Sequence, residues 1–401
     1  MRPDTRPLIR GLNLPREGRF QPLTGLRAIE LGHFVAGPSL GSLLTMYGAE
    51  VIKVEPPQGD ISLKTAPWAY YLYNMGKKDI CIDLLKPDGF QVFERLVATS
   101  DILVENLSPE SVVKLGVGYD RLSRINPKLV YCSIKGFASD SPHHTRPAFD
   151  AVAQAEGGMM ATTGVEGGGF MRVNNPSVDM GAAAYGFSAI ILALLERSRT
   201  GRGCYIEVPL LEVAIYWNGY WIAYHALMGR EPERLGAGHA GYSPYGVYRT
   251  REGHIFIGII TDEQWRKLCS LLGIPPSPEL ESMQQRIGRR HQVDRLVEEA
   301  TQRYTTEELL SKLGETIPVA RVRRIGEIAS DGNLIELGVI RERRIDGAQI
   351  KVVTPPIIMD GSRALVPERP STTGLHTTEI LKSLGYGENE IIRLKETGAV
   401  R

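Results

Sequence analysis

Between Leu26 and Phe137 short strand-forming runs alternate with helical ones, and this alternation restricts the fold more than any other feature of the chain. LRAIEL reads as a strand. GHFVAGPSLGSLLTMYGA reads as a Gly/Pro turn that feeds a helix, and EVIKVE as a second strand. Strand, helix and strand within about 30 residues make a βαβ unit, which implies parallel strands. The unit then repeats. DICIDL is a strand, and Lys86–Thr99 places Phe90, Phe93, Leu96 and Val97 on one side of a helix. DILVEN is a strand, Pro109–Leu115 a short helix, and LVYCSIKGF the next strand. The expectation is an α/β fold with a doubly wound parallel sheet.

The pattern changes further on. Asp150–Thr162 reads as helical, and Val165–Pro176 as a Gly-rich loop. Met180–Glu196 is an apolar, Ala-rich helix whose small side chains suit close packing deep in a core. Arg197–Gly203 is a polar turn, and CYIEVPLLEV starts as a strand and runs into a helix. From 225 to 345 the pattern is α+β, which marks a second, smaller domain. A hairpin is expected around Arg251–Gly253, with helices near Asp262–Leu272 and Val293–Thr301. A Pro-rich passage, a helix over Thr377–Leu384 and a polar turn before Val400 close the chain, and residues 1–22 read as an irregular arm.

Composition removes several function classes. Lys and Arg total 47 against 46 Asp and Glu, a formal charge of +1, so no net field recruits nucleic acid or an anionic membrane. Four dispersed cysteines without a CxxC pair make neither a disulfide framework nor a metal site. The longest near-apolar run, Phe187–Leu195, is too short to span a bilayer, and the N-terminal residues lack the apolar core of a secretory signal. The expected setting is a reducing cytoplasm, with no metal, no nucleic acid and no membrane. G-x-G-x-x-G, a Walker GK[ST], G-x-S-x-G and H-E-x-x-H are all absent.

Asp179 is the most unusual acid. It follows GGGFMRVNNPSV and sits at or just before the first turn of the Ala-rich helix. The ordinary reading is a helix N-cap, worth about 1 kcal/mol. The functional reading is a carboxylate nucleophile at a Gly-lined cleft. Lys53, Lys77, Lys78 and Lys135 cluster near predicted strand edges, either as phosphate contacts or as solvated ends. Cys132, in a predicted central strand, reads as a buried thiol.

An ordered set of fragments spans nearly the whole chain from residue 23. It runs Gly25-Leu26-Arg27-Ala28, Val35-Ala36-Gly37-Pro38, Gly48-Ala49-Glu50-Val51-Ile52-Lys53-Val54-Glu55-Pro56-Pro57 and Gly59-Asp60. It continues with Asp101-Ile102-Leu103-Val104-Glu105-Asn106-Leu107, Asn126-Pro127, Gly136-Phe137, Arg146-Pro147, Asp150, Gln154-Ala155 and Asp179. Thr200-Gly201-Arg202-Gly203, Pro318-Val319 and His376-Thr377 complete it. In this order the fragments resemble the class III CoA-transferase family, which includes formyl-CoA:oxalate and carnitine CoA-transferases and is related to α-methylacyl-CoA racemases.

The resemblance implies an enzyme that moves coenzyme A from an acyl-CoA to a carboxylic acid, with acyl-CoA as substrate and no tightly bound cofactor. Asp179 falls at the family's nucleophile, which passes through a mixed anhydride and an aspartyl-CoA thioester. Val35, Ala36, Lys77, Asn106, Leu107 and Lys135 fall at or near its CoA-binding positions. Arg172, His239, Tyr242 and Tyr245 are candidates for shaping the acid site. The implied architecture is a Rossmann-like large domain built from residues 1–224 and 346–401, a small domain over 225–345, and an interlocked homodimer. Two alternatives stand beside the transferase. One is a racemase, disfavoured because the position of its histidine holds Phe149, which cannot move a proton. The other is a non-catalytic CoA-binding protein, disfavoured by the intact Asp179. The family's common Asn-Arg-Asn-Lys-Arg run reads here Asn74-Met75-Gly76-Lys77-Lys78, and where the formyl-CoA enzymes carry a four-glycine flap this chain has Gly236–Tyr245.

Overall fold

A computed structural model of the chain describes residues 18, 20–345 and 347–401. Most of the arm expected over residues 1–22 lies outside the described residues. The chain forms two units. The larger holds the described residues up to Gly157, Asn174–Trp217 and Ala329–Arg401; the smaller holds Gly158–Val173 and Asn218–Ile328.

In the larger unit the elements run β1 (Arg27–Leu31), α1 (Ala36–Met46), β2 (Glu50–Glu55), α2 (Ile61–Thr65), α3 (Pro67–Tyr73) and β3 (Lys78–Cys81). They continue with α4 (Pro87–Ala98), β4 (Ile102–Glu105), α5 (Pro109–Leu115), α6 (Tyr119–Ile125), β5 (Val130–Lys135) and α7 (Asp150–Glu156). The short α8 (Met159–Thr162) belongs to the smaller unit, and α9 (Ser177–Thr200), β6 (Tyr205–Pro209) and α10 (Leu210–Trp217) return to the larger. The strands pair in parallel in the order β3-β2-β1-β4-β5-β6. The chain winds outward from β1 to one edge, then crosses to β4 and winds to the other. That reversal makes a switch point between β1 and β4, where the loops at the carboxyl ends diverge and leave a crevice.

Alternation along the strands divides the two faces. Ile29, Leu31, Ile52, Val54, Ile80, Ile82 and Leu103 join one buried cluster with Phe90, Phe93, Leu96 and Val97 of α4. Ile380, Leu381, Ile391 and Leu394 from the end of the chain enter the same cluster. The C-terminal segment also covers the exposed edge of β3. His376 N–H donates to Asp79 O, Cys81 N–H to Thr377 Oγ1, and Arg401 N–H to Cys81 O. An edge strand left open would template pairing with another chain.

Several sequence expectations need correction. The Ala-rich helix begins at Ser177 and is not deep in the core. Val178, Gly181, Ala182, Ala183, Gly186, Ile190 and Ala193 are buried, but Leu192 and Leu195 are more than 60% exposed. Small residues let that one face lie close to α1, where a side chain at Gly186 would strike Leu40. By length and composition α9 is apolar enough to cross a membrane. The helix expected over Asp150–Thr162 breaks at Gly157–Gly158, where Gly158 takes a left-handed φ of +79°. The polar turn before Val400 is a helix, Glu388–Glu396, whose mostly polar sequence hides the Ile391/Leu394 spacing that buries it.

The unit bounds also differ from the expected 225 and 345. Residues 158–173 go with the smaller unit because Gly236 N–H donates to Gly164 O and Arg234 to Gly168 O. A division after 345 would cut a two-stranded hairpin, Ile340–Ile345 with Ala348–Val353, which belongs to the larger unit. Arg343 fastens that hairpin to the carbonyls of Val366 and Pro367.

In the smaller unit, α11 (Gly219–Met228) is followed by the expected hairpin, β7 (Tyr245–Arg249) and β8 (His254–Gly258). Then come α12 (Asp262–Leu272), α13 (Met283–Gly288), α14 (Arg290–Thr301), α15 (Thr306–Leu313) and β9 (Val319–Arg321), which pairs with β8. Ile255, Ile257, Trp265, Leu268, Val293, Val297 and Leu309 form its core.

Candidate active site

The carboxyl ends of β1 to β4 frame a cleft of about 760 Å³, lined among others by His33, Glu55, Ile61, Leu107, Ser111 and Lys114. The turn after β1 is built to stay open. Asn106, just past β4, clamps His33 in two directions: its Oδ1 accepts the His33 N–H and its Nδ2 donates to the His33 carbonyl, both at 3.0 Å. Phe34 is held at a φ of +62°, a costly conformation for a bulky residue. Val35 and Ala36 then open α1 without any side-chain cap. Gly37 is required here, because a Cβ would lie 2.8 Å from Asn106 Oδ1.

Beneath this turn lies a layer of buried charge. Glu30 bridges two lysines, with Lys53 Nζ at 3.2 Å and Lys77 Nζ at 2.6 Å. Lys53 also reaches Asp60 at 2.9 Å and the Gly32 carbonyl at 2.6 Å. Lys77 reaches the Pro38 carbonyl and Asn74 Oδ1, both at 2.9 Å. Lys77 thus uses all three of its donors inside the protein, and Lys53 is held by two carboxylates and a carbonyl. This corrects the expectation for Lys77: it has no donor left for a phosphate and acts as a counter-ion for Glu30. Gly41 of α1 makes room for the pair, since a side chain there would collide with the Glu30 carboxylate. Lys135 is likewise committed. Its Nζ lies 2.7 Å from both Glu105 oxygens and 2.6 Å from the Leu107 carbonyl, so it fixes the loop that carries Asn106 and Leu107.

Asp179 is not an N-cap. It lies within the first turn of α9, where Pro176 holds the cap position. Burial, with the like charge of Asp150 added, pushes its carboxyl up from 3.8 to about 7. Its charge in turn helps to raise Tyr73, at the end of α3, although burial is the larger cause there. Two residues on, Gly181 admits the indole of Trp217, whose Nε1 donates to Tyr185 OH at 3.1 Å. Asp179 is not among the residues lining the cleft.

The structure therefore brings Val35, Ala36, Asn106 and Leu107 together at the switch point, with Lys135 behind them and Lys77 below. His239, Tyr242 and Tyr245 meet in the smaller unit. His239 stacks on Tyr242 with ring centres 4.7 Å apart, and Tyr245 lies 5.6 Å from His239. Arg290 holds this turn through the Tyr242 carbonyl. Arg172 lies exposed in the smaller unit's 158–173 segment. Phe149, where a racemase histidine would stand, is 66% exposed and opens α7.

Sequence reasoning missed His33 and Lys114. Lys114 is the one lysine or arginine among the described residues that line the cleft. Its signal was present: it is the cation on the helix that directly follows DILVEN, and loops after a parallel strand face the crevice.

A profile for CoA-transferase family III matches residues 23–377. The chain is 32% identical to a succinate–glutarate CoA-transferase of Agrobacterium fabrum, over 91% of this chain and 96% of that protein. It is 30% identical to a formyl-CoA:oxalate CoA-transferase of Streptomyces avermitilis, over 94% and 99%. A crystal structure of a CAIB/BAIF family protein from Brucella suis superposes with a TM-score of 0.83 at 28% identity, covering 91% of this chain and all of that one. Likeness at this level runs through both sequence and fold, and the chain belongs to CoA-transferase family III, an enzyme of the CoA-transferring kind.

Proposed function

We propose that Asp179 is the nucleophile of a CoA transfer between carboxylic acids and that the cleft at the β1/β4 switch point receives the CoA. In the first step an Asp179 oxygen bonds the acyl carbon of the donor thioester. The carbon–sulfur bond breaks and CoA leaves as thiolate, giving a mixed anhydride. The thiolate then attacks the aspartyl carbonyl and expels the donor acid as a carboxylate, leaving an aspartyl-CoA thioester. The acceptor carboxylate displaces CoA to form a second anhydride, and the thiolate takes the acceptor acyl group and restores Asp179. Each step exchanges one anion for another, so the sequence needs no proton, no water and no ATP. A carboxylate is a weak nucleophile in water, and orientation with partial desolvation makes it competent.

The observation that carries this reading is the carboxylate of Asp179. It is half-buried, raised to about 7 and fixed on the first turn of a 24-residue helix in a chain of this family. For CoA, the cleft offers apolar walls such as Leu107 and Ile61 and the Lys114 cation, and the turn from its lining residue His33 leads into the uncapped start of α1 at Val35 and Ala36. The acids are small dicarboxylates of the succinate and glutarate size, a choice supported by the name of the Agrobacterium relative. His239, Tyr242, Tyr245 and Arg172 of the smaller unit are the residues assigned to acid selection.

The active species is a homodimer, interlocked as the family resemblance implies. Apolar side chains left uncovered support this, with Leu227 83% and Tyr220 62% exposed on α11, which buries no residue of its own.

The test is chemical. Incubation with succinyl-CoA and hydroxylamine should convert Asp179 to a hydroxamate, read by peptide mass, and Asp179→Ala should lower turnover by roughly a thousandfold or more. Full turnover in that variant would end the proposal.

A further inference from the structure

The start of α9 has no cap of its own, and its cap comes from elsewhere in the chain. Asp150, 29 residues before Asp179 and at the start of α7, supplies it. Asp150 Oδ1 accepts the Val178 N–H at 2.8 Å and the Asp179 N–H at 3.3 Å, while Oδ2 accepts from Gln154 Nε2 at 2.6 Å. The Asp150 side chain is buried. Among the described residues N–H dipoles, and no ion pair, answer its charge.

Resting on the reading of Asp179 as nucleophile, we propose that Asp150 is a positioning residue with two effects. It holds Asp179 by the backbone, and its fixed negative charge drives the Asp179 side chain toward its uncharged, acylated states. Acylation and protonation do the same thing to the charge on Asp179: both remove it. When an Asp179 oxygen bonds the acyl carbon and the electron pair leaves with sulfur, the negative charge moves from the carboxylate to the departing thiolate. A carboxylate fixed beside Asp179 favours that movement in the forward direction. It also raises the basicity of the attacking oxygen, and with it the nucleophilicity.

The titratable groups that face Asp179 are Asp150 from α7 and Tyr73 from α3. A phenol is neutral at physiological pH and brings no charge, so Asp150 supplies the formal charge in this set. The α9 N-terminus opposes it, since the helix dipole favours an anion there. The net direction at Asp179 is upward, with burial the larger cause and Asp150 the second.

Asp150→Asn in the full-length enzyme removes the charge and keeps an oxygen for the Val178 and Asp179 N–H groups. The acid limb of kcat/KM against pH should move to lower pH by up to about 1.5 units, because burial remains. The fraction of enzyme trapped by hydroxylamine at Asp179 after succinyl-CoA should fall by as much as about thirtyfold, the same shift expressed as an equilibrium ratio. Asp150→Ser, which retains a capping hydroxyl and also lacks the charge, should move the limb the same way and stands in if the Asn variant does not fold. A purely structural role predicts a lower melting temperature with the limb and the trapped fraction unmoved, and that result overturns the proposal. Failure of the parent reading looks different: wild-type enzyme then yields no Asp179 hydroxamate at all.

Discussion

Replacing Asp79 with Asn should stabilise the protein at alkaline pH, because burial and the neighbouring Glu55 charge favour a proton on Asp79 that is lost as pH rises. The hydrogen-bond donors decide that Asp79, and not Glu55, carries it. Glu55 accepts from Tyr70 OH at 3.1 Å, Thr373 Oγ1 at 2.6 Å and Asp60 N at 3.3 Å. Asp79 Oδ1 accepts the Gly374 N–H, whereas its Oδ2 is buried with no protein donor to accept from. A proton on Asp79, donated to Glu55, satisfies that orphan oxygen. Burial first, and the Glu55 charge second, accordingly push Asp79 from 3.8 up to about 8. The folded state then holds the proton more tightly than the unfolded chain. Stability therefore falls as pH rises from about 4 to about 8, and levels off above that.

A shift of that size converts to a ceiling of about 5–6 kcal/mol. An effective interior dielectric nearer 20 than 4 brings the expected penalty to about 1–3 kcal/mol. In Asp79→Asn the amide Nδ2 takes over the donation to Glu55 and Oδ1 keeps the Gly374 N–H. Thermal unfolding followed by circular dichroism at pH 5, 7 and 9 should show the variant gaining on the parent as pH rises. Burial lowers His376, whose Nδ1 accepts the Asp79 N–H at 3.2 Å, so its contribution is lost as pH falls below about 6.5. That contribution is common to both proteins and cancels at each pH. A variant less stable than its parent at pH 9 would refute the proton on Asp79.

Two further outcomes separate scaffold from site. Lys77→Met leaves Glu30 one lysine short in a fully buried setting and should cost about 3–5 kcal/mol of stability. The folded fraction should still bind CoA within about twofold by calorimetry, at the level set by a single ordinary contact or less; weakened binding at unchanged stability would return Lys77 to the phosphates. Asn106→Ala removes both bonds to the His33 backbone and should raise the KM for acyl-CoA roughly tenfold, since two hydrogen bonds are worth about 1–3 kcal/mol together. An unchanged KM would show that the turn holds its shape without the clamp.

The parallel sheet was legible because its signal is local. Each of LRAIEL, EVIKVE and DILVEN carries its own alternation and turn residues, and helices such as Asp262–Leu272 show their period plainly. What was hidden depends on partners distant in sequence. A lysine next to a strand looks the same whether it meets a phosphate or a buried acid. Only the fold shows that Lys77 answers Glu30, 47 residues away, and that Lys135 answers Glu105. From the residues alone Asp179 read first as an ordinary cap and second as a nucleophile, and the acid that caps α9 is Asp150. The burial of α9 was misjudged for a related reason: an Ala-rich stripe shows that something packs closely, but not on how many sides.

Charge economy connects these misreadings. Glu30 and Glu55 at the strand ends and Asp60, the cap of α2, share one buried layer with Lys53 and Lys77. Those lysines are needed there, because an unpaired buried carboxylate is far costlier than a paired one. Once they are committed, Lys114 is the one lysine or arginine among the described residues that line the cleft. At Asp150 the same unit solves the problem in another way, with N–H dipoles in place of a cation. The difference has a chemical consequence. On the proposed mechanism, a lysine beside Asp179 would stabilise its anion and oppose acylation, whereas a carboxylate held by N–H dipoles leaves a like charge next to Asp179. Within one unit, lysines neutralise the buried acids near the strand ends, whereas among the described residues N–H donors and no cation meet Asp150.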